Sequence, residues 1–229
     1  MQKHNILLLH GAIGSKSQLC EIADYLSNEF KVFTLDFEGH GANSSEVPFS
    51  IHLFKSNVLN FIKSNKLDSV SIFGYSMGGY VALQLAAEYP ELVESIFTYG
   101  TKFDWNEEAS VKESSKLNPE IIEERFPDFA KGLKSLHGEL NWKNVLHKTA
   151  AMMIQMGKAK ENQINFSDIE CPCLLSWGTN DKMVTKTETL VTVCKINKSN
   201  FFEFENQPHP IEQLDCSIIS ESISSYFLK

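Results

Sequence analysis

Gly74-Tyr75-Ser76-Met77-Gly78 follows an apolar run from Val70 to Phe73 and leads into a segment of helical composition. That order reads as strand, sharp turn and helix, with Ser76 at the turn. A serine so placed has its hydroxyl lifted clear of the sheet, and the N-terminus of the following helix points at any carbon that it attacks. Small residues two before and two after the serine are needed because the backbone packs too closely there for side chains, and Gly79 adds room. The pattern is short and also arises in ordinary strand-to-helix turns, so its meaning rests on what else the chain carries.

A serine hydroxyl is a poor nucleophile near neutral pH and needs a histidine to take its proton and an acid to orient that histidine. Cys173-Leu174-Leu175-Ser176-Trp177 reads as a buried strand running into Gly178-Thr179-Asn180-Asp181, which puts Asp181 at a strand's C-terminal end. A further strand, Asn200 to Phe204, leads into Glu205-Asn206-Gln207-Pro208-His209-Pro210. Ser76, Asp181 and His209 are therefore the candidate nucleophile, acid and base. Asp181 read alone is an ordinary turn former. Prolines on both sides restrict the backbone around His209 to extended conformations.

Near the N-terminus, the strand-like Asn5-Ile6-Leu7-Leu8-Leu9 is followed by His10-Gly11-Ala12-Ile13-Gly14-Ser15, and Asp36-Phe37-Glu38-Gly39-His40-Gly41 spells a D-x-x-G-H-G turn. With these segments the sequence resembles the α/β-hydrolase superfamily along most of its length, and the chain order Ser, Asp, His is the one that family uses. The resemblance implies an oxyanion hole formed by the backbone N–H groups of Ala12 and Met77, and a structural role for the 36–41 turn. It departs from the family at Pro208, where a glycine or another small residue is usual. A full family member begins with an antiparallel hairpin; only four residues precede Asn5, so that hairpin is expected to be absent.

The remaining titratable groups have plainer readings. Asp36 and Glu38 are the second-choice acids, His10 packs the loop, and His40, His52, His137 and His147 are expected at the surface or in the cap. None sits in a metal-ligand pattern, and neither a phosphate loop nor a dinucleotide fingerprint occurs, so no metal and no cofactor is expected. The five cysteines, Cys20, Cys171, Cys173, Cys194 and Cys216, are too scattered for a disulfide framework and are expected to be mostly buried thiols.

A chain of 229 residues with a formal charge of −8 is long enough for a substantial core, and its acidity argues against nucleic acid or an anionic membrane as partner. The short apolar run at Ile6 to Leu9 is no signal segment, so a cytoplasmic protein acting on a small molecule is expected, its oligomeric state open.

Apolar runs alternate with amphipathic stretches, the mark of a mainly parallel sheet covered on both faces. Strands are expected near 5–9, 31–35, 70–74, 94–99, 173–177 and 200–204, and helices near 16–29, 50–64, 77–89, 183–194 and 211–227. The fold class is thus α/β, a six-stranded α/β-hydrolase sheet, with residues 1–229 as one domain. An insertion at about 101–165 is too long for a simple crossover and reads as a helical cap, with helices over 107–117, 119–136 and 142–158. Tyr75, Phe103, Trp105, Trp142 and Met153 are candidate substrate-binding residues. The methionines of Ala150-Ala151-Met152-Met153-Ile154-Gln155-Met156 suit either a pocket for a flexible apolar group or a helix packed on the core.

The expected chemistry is acyl transfer to water, with a carboxylic ester as first choice. A carbon–carbon hydrolase or cofactor-free lyase on the same residues is the alternative, and a non-catalytic binding protein the third.

Overall fold

The computed structural model describes residues 3–158 and 164–228. Six strands, β1 (Asn5–Leu9), β2 (Lys31–Thr34), β3 (Val70–Tyr75), β4 (Val93–Tyr99), β5 (Cys173–Gly178) and β6 (Ser199–Phe204), form one sheet in the order β2-β1-β3-β4-β5-β6. Every neighbouring pair is parallel. Parallel neighbours require crossover connections, and helices supply them on both faces.

Alternation along the strands divides the core into two layers. Ile6 and Leu8 of β1, with Phe73, Tyr75, Phe97 and Tyr99, pack with α1 (Cys20–Leu26) and α9 (Cys216–Phe227). Leu7 and Leu9, with Ile72 and Ile96, face α2 (Ile51–Ser64) and α3 (Met77–Glu88). Several helices start at side-chain caps: Ser50 accepts from the Leu53 N–H at 3.0 Å, and Thr185 with Glu188 forms a capping box on α8 (Lys186–Val193).

Three expected helices are interrupted. Residues 16–29 hold a 3-10 turn, Lys16–Leu19, ahead of α1, and residues 211–227 hold another, Ile211–Gln213, ahead of α9, which starts afresh where Asp215 caps it. The third is the 119–136 helix, which is two: α5 (Pro119–Arg125) and α6 (Pro127–His137). Pro127 drives the preceding Phe126 to φ −133°, ψ 60°, outside the helical region.

These two lie with α4 (Glu107–Ser115) and α7 (Trp142–Lys158) between β4 and β5. Residues 159–163 of the expected insertion are outside the described residues. Ile122, Ala130, Leu133, Trp142 and Leu146 make a small core among these helices, while Val145, Met152 and Met156 of α7 join the core above the sheet. Helix α7 thus ties the helical excursion to the body of the fold.

From β1 the chain first adds β2 on one side and then β3 on the other. Where strand order reverses in this way, the connections after neighbouring strands diverge and leave a crevice at their C-terminal ends. Here those ends carry His10-Gly11-Ala12 and Ser76.

Among the described residues no helix is long and apolar enough to cross a membrane, and no group of three His, Cys, Asp or Glu side chains is placed to hold a metal ion. All five cysteines are free. Contrary to expectation only Cys171 and Cys173, at the buried start of β5, are fully enclosed; Cys20 and Cys194 are exposed on helix ends.

Candidate active site

Ser76 stands between β3 and α3 with φ 50° and ψ −114°, a conformation that a non-glycine residue holds only under constraint. The constraint is visible. The Ser76 N–H donates to Tyr99 O at 2.8 Å, and the Thr101 hydroxyl donates to Ser76 O at 3.1 Å. A Cβ on Gly74 would lie 2.4 Å from Gly79 Cα, and one on Gly78 would lie 2.4 Å from Leu9 O, so the turn closes only with glycine at both places.

The structure brings Asp181 and His209 to this turn. Asp181 Oδ2 is 2.7 Å from His209 Nδ1, and His209 Nε2 is 3.2 Å from Ser76 Oγ. A carboxylate has no proton to give, so Nδ1 carries the hydrogen and Nε2 presents its lone pair to the serine hydroxyl. The Asp181 side chain is fully buried, and its Oδ1 accepts from the Met183 and Val184 N–H groups at 2.7 and 2.8 Å. Tyr99 donates its hydroxyl to Pro208 O, fixing the loop between the two prolines, and the Tyr75 ring lies against the imidazole at 5.6 Å. Burial raises the pKa of both tyrosines, which keeps them neutral.

Ala12 borders the same space as Ser76, and Met77 opens α3, where the first N–H groups of a helix have no intrahelical acceptor. Two histidines hold the loop carrying Ala12, and a third lies between them. His10 donates from Nδ1 to Gly11 O at 2.8 Å and accepts the Phe37 N–H at 3.2 Å. His137, at the end of α6, donates from Nε2 to Ile13 O at 2.8 Å and accepts the Gly41 N–H at 3.1 Å. His40 lies between them, its ring 5.2 Å from His10 and 5.9 Å from His137. Burial pulls the His10 pKa down to about 4 and lowers those of His40 and His137 as well. His10 packs the loop as expected, and His52 and His147 are exposed. His137 lies within the expected insertion, at the end of α6, but both it and His40 are buried and not superficial, because the 36–41 turn and α6 close over them. Asp36 and Glu38 are occupied elsewhere, Asp36 accepting from Lys16 N and Glu38 from Ser45 Oγ.

Two cavities meet at Ser76. One, of about 30 Å³, lies beneath α7; the other, of about 980 Å³, opens under α4 and α6. Met153 borders both, Tyr75 the larger and Trp105 the smaller. Phe103 and Trp142 are elsewhere. Phe103 packs on Phe166 and Tyr80 at a separate groove, and Trp142 is buried in the small helical core with Lys134 and Lys143 over its ring. An aromatic residue signals burial but not the neighbour it is buried against. Met183 was missed: it borders both cavities only because the turn after Asp181 folds inward, and no sequence pattern marks that.

A family model described as alpha/beta hydrolase fold matches residues 5–139, more than half of the chain. An ethanol acetyltransferase from Cyberlindnera jadinii is 34% identical over 98 residues, covering 41% of this chain and 29% of that protein. A serine hydrolase-like protein from Danio rerio is 25% identical over 162 residues, covering 68% of this chain and 44% of that protein. The chain spans less than half the length of these curated relatives. The crystal structure of the enol-lactonase from Burkholderia xenovorans LB400 superposes with a TM-score of 0.80 at 17% identity, over all of this chain and 93% of that one.

Proposed function

Because the chain belongs to the α/β-hydrolase family, we propose that it is a cofactor-independent serine hydrolase that cleaves a carboxylic ester of a small or medium apolar substrate. Ser76 Oγ attacks the ester carbonyl while His209 Nε2 takes the hydroxyl proton, and Asp181 holds the imidazolium that results. The tetrahedral oxyanion is met by the N–H groups of Ala12 and Met77. The bond to the alcohol oxygen then breaks, and His209 returns its proton to that oxygen. Water attacks the acyl-serine with His209 again as base, releasing the acid and restoring Ser76. The helices between β4 and β5 serve as a cap over the substrate, which is a small molecule.

The observation that carries this reading is the unbroken hydrogen-bonded series from Ser76 Oγ through both imidazole nitrogens to a buried carboxylate. Relatives named for acetyl transfer and serine hydrolysis agree with acyl-serine chemistry. Treatment with a fluorophosphonate, followed by mass spectrometry of the adduct, tests it. The expected label sits on Ser76 and is lost in Ser76→Ala and His209→Ala. Folded wild-type protein that takes no label refutes the mechanism.

A further inference from the structure

We infer that the site sorts an ester by size, taking a short neutral acyl group of about two or three carbons into the cavity beneath α7 and a bulky apolar alcohol into the chamber under α4 and α6. The inference rests on the acyl-serine reading above. Its independent basis is which cavity His209 faces.

In the collapse of the tetrahedral intermediate the histidine must hand its proton to the departing alkoxide. The leaving alcohol therefore lies on the histidine's side of Ser76, and the acyl chain lies on the other. His209 and Pro210 border the large chamber, whereas the small cavity is bounded by Met77 and by α7. Proton delivery thus assigns the large chamber to the alcohol. It leaves the small cavity for the acyl tail.

The volumes then set the chemistry. A cavity of about 30 Å³ matches the volume of one liquid water, enough for the methyl of an acetyl group, while an ethyl tail already requires the surrounding side chains to yield. Its walls include Met77, Met152, Met153, Met156 and Met183, five of the six methionines in the chain. All but Met183 are buried, so a longer acyl chain would have to displace packed thioethers. Lys102 also borders this cavity, but its ammonium is 3.3 Å from the buried Glu188 carboxylate and is already neutralised, which favours an uncharged acyl group. The chamber of about 980 Å³ lies at the upper end of small-molecule sites, and Leu117, Phe129, Leu133 and Leu136 give it apolar walls.

Two ester series read the two sides separately. With p-nitrophenol as the common alcohol, kcat/KM is expected to be highest for acetate or propionate and to fall at least about tenfold by hexanoate, the loss that a single ill-fitting methylene can cause. With acetate as the common acyl group, 2-phenylethyl acetate is expected to exceed ethyl acetate by about tenfold. Met156→Ala should raise hexanoate relative to acetate, and Met152→Val gives the same comparison if Met156→Ala does not fold. On the other side, a Cβ at Gly132 in α6 meets nothing within 4 Å, so Gly132→Phe fits the helix while filling the chamber. It should depress 2-phenylethyl acetate at least about fivefold more than ethyl acetate.

A wild-type preference for hexanoate or for hemisuccinate, or a flat response to Met156→Ala and Gly132→Phe, overturns the sorting. If Ser76 still takes the fluorophosphonate in that case, the serine mechanism stands and only the partition fails. Absence of both label and turnover removes the mechanism, and the partition with it.

Discussion

Asp181 accepts from three donors, His209 Nδ1 and the N–H groups of Met183 and Val184, and has nothing to donate. Asp181→Asn keeps the shape, but an amide that still accepts the two backbone bonds turns its NH₂ toward His209. The imidazole then settles in the other tautomer, with its proton facing Ser76. We expect kcat/KM at pH 7 to fall on the order of 10⁴-fold with little loss of thermal stability; a fall of less than tenfold would show that Asp181 does not set the tautomer. Each member of this series was readable because each follows an apolar run and sits in a turn, as Trp177-Gly178-Thr179-Asn180-Asp181 illustrates. Met183 and His137 were not, since their placement depends on how distant segments close over the crevice.

At the scale of elements, Glu188 does more than cap α8. One carboxylate oxygen accepts the Thr185 N–H, and the other accepts from the N–H groups of Phe103 and Asp104 and from Lys102. It thereby fastens the exit of β4, where the helical excursion begins, to the body of the fold. Glu188→Ala leaves these part-buried donors without their acceptor and is expected to lower stability by about 1–3 kcal/mol, with Glu188→Gln retaining part of it. Urea unfolding measures the loss, and faster proteolysis within residues 101–106 would locate it; an unchanged midpoint in Glu188→Ala refutes the role. Hydrophobic periodicity found the elements but not their breaks. The split at Phe126-Pro127 follows from the proline, a signal present in the sequence that the helical composition on either side outweighed. The late start of α9 hangs on the Asp215 cap, whose use depends on where the His209 loop ends.

For the molecule as a whole, His10, His40 and His137 form a buried neutral cluster joining the first crevice loop, the 36–41 turn and α6. Burial lowers all three pKa values, so the unfolded chain binds protons more readily than the folded one. Stability contributed in this way is complete above the unfolded value near 6.5 and is lost as pH falls through the folded value, about 4 for His10. For His10 alone the span corresponds to about 3 kcal/mol, and His40 and His137 act in the same direction. The urea midpoint should therefore drop steeply between pH 6.5 and 4.5, and a flat profile there would contradict a neutral buried cluster. Strand order was not legible from alternation, which tells inside from outside but not left from right; the order β2-β1-β3-β4-β5-β6 is seen only in the structure.

Ser76 and His209 are 133 positions apart in the chain, on turns that follow strands three places apart in the sheet. Every pairing in a parallel sheet is non-local, and such topologies assemble slowly. In a refolding experiment, helical circular dichroism would return early, whereas turnover would wait for β6 to dock and carry its loop back to β3. The proposed activity would in this sense be a clock for the docking of β6.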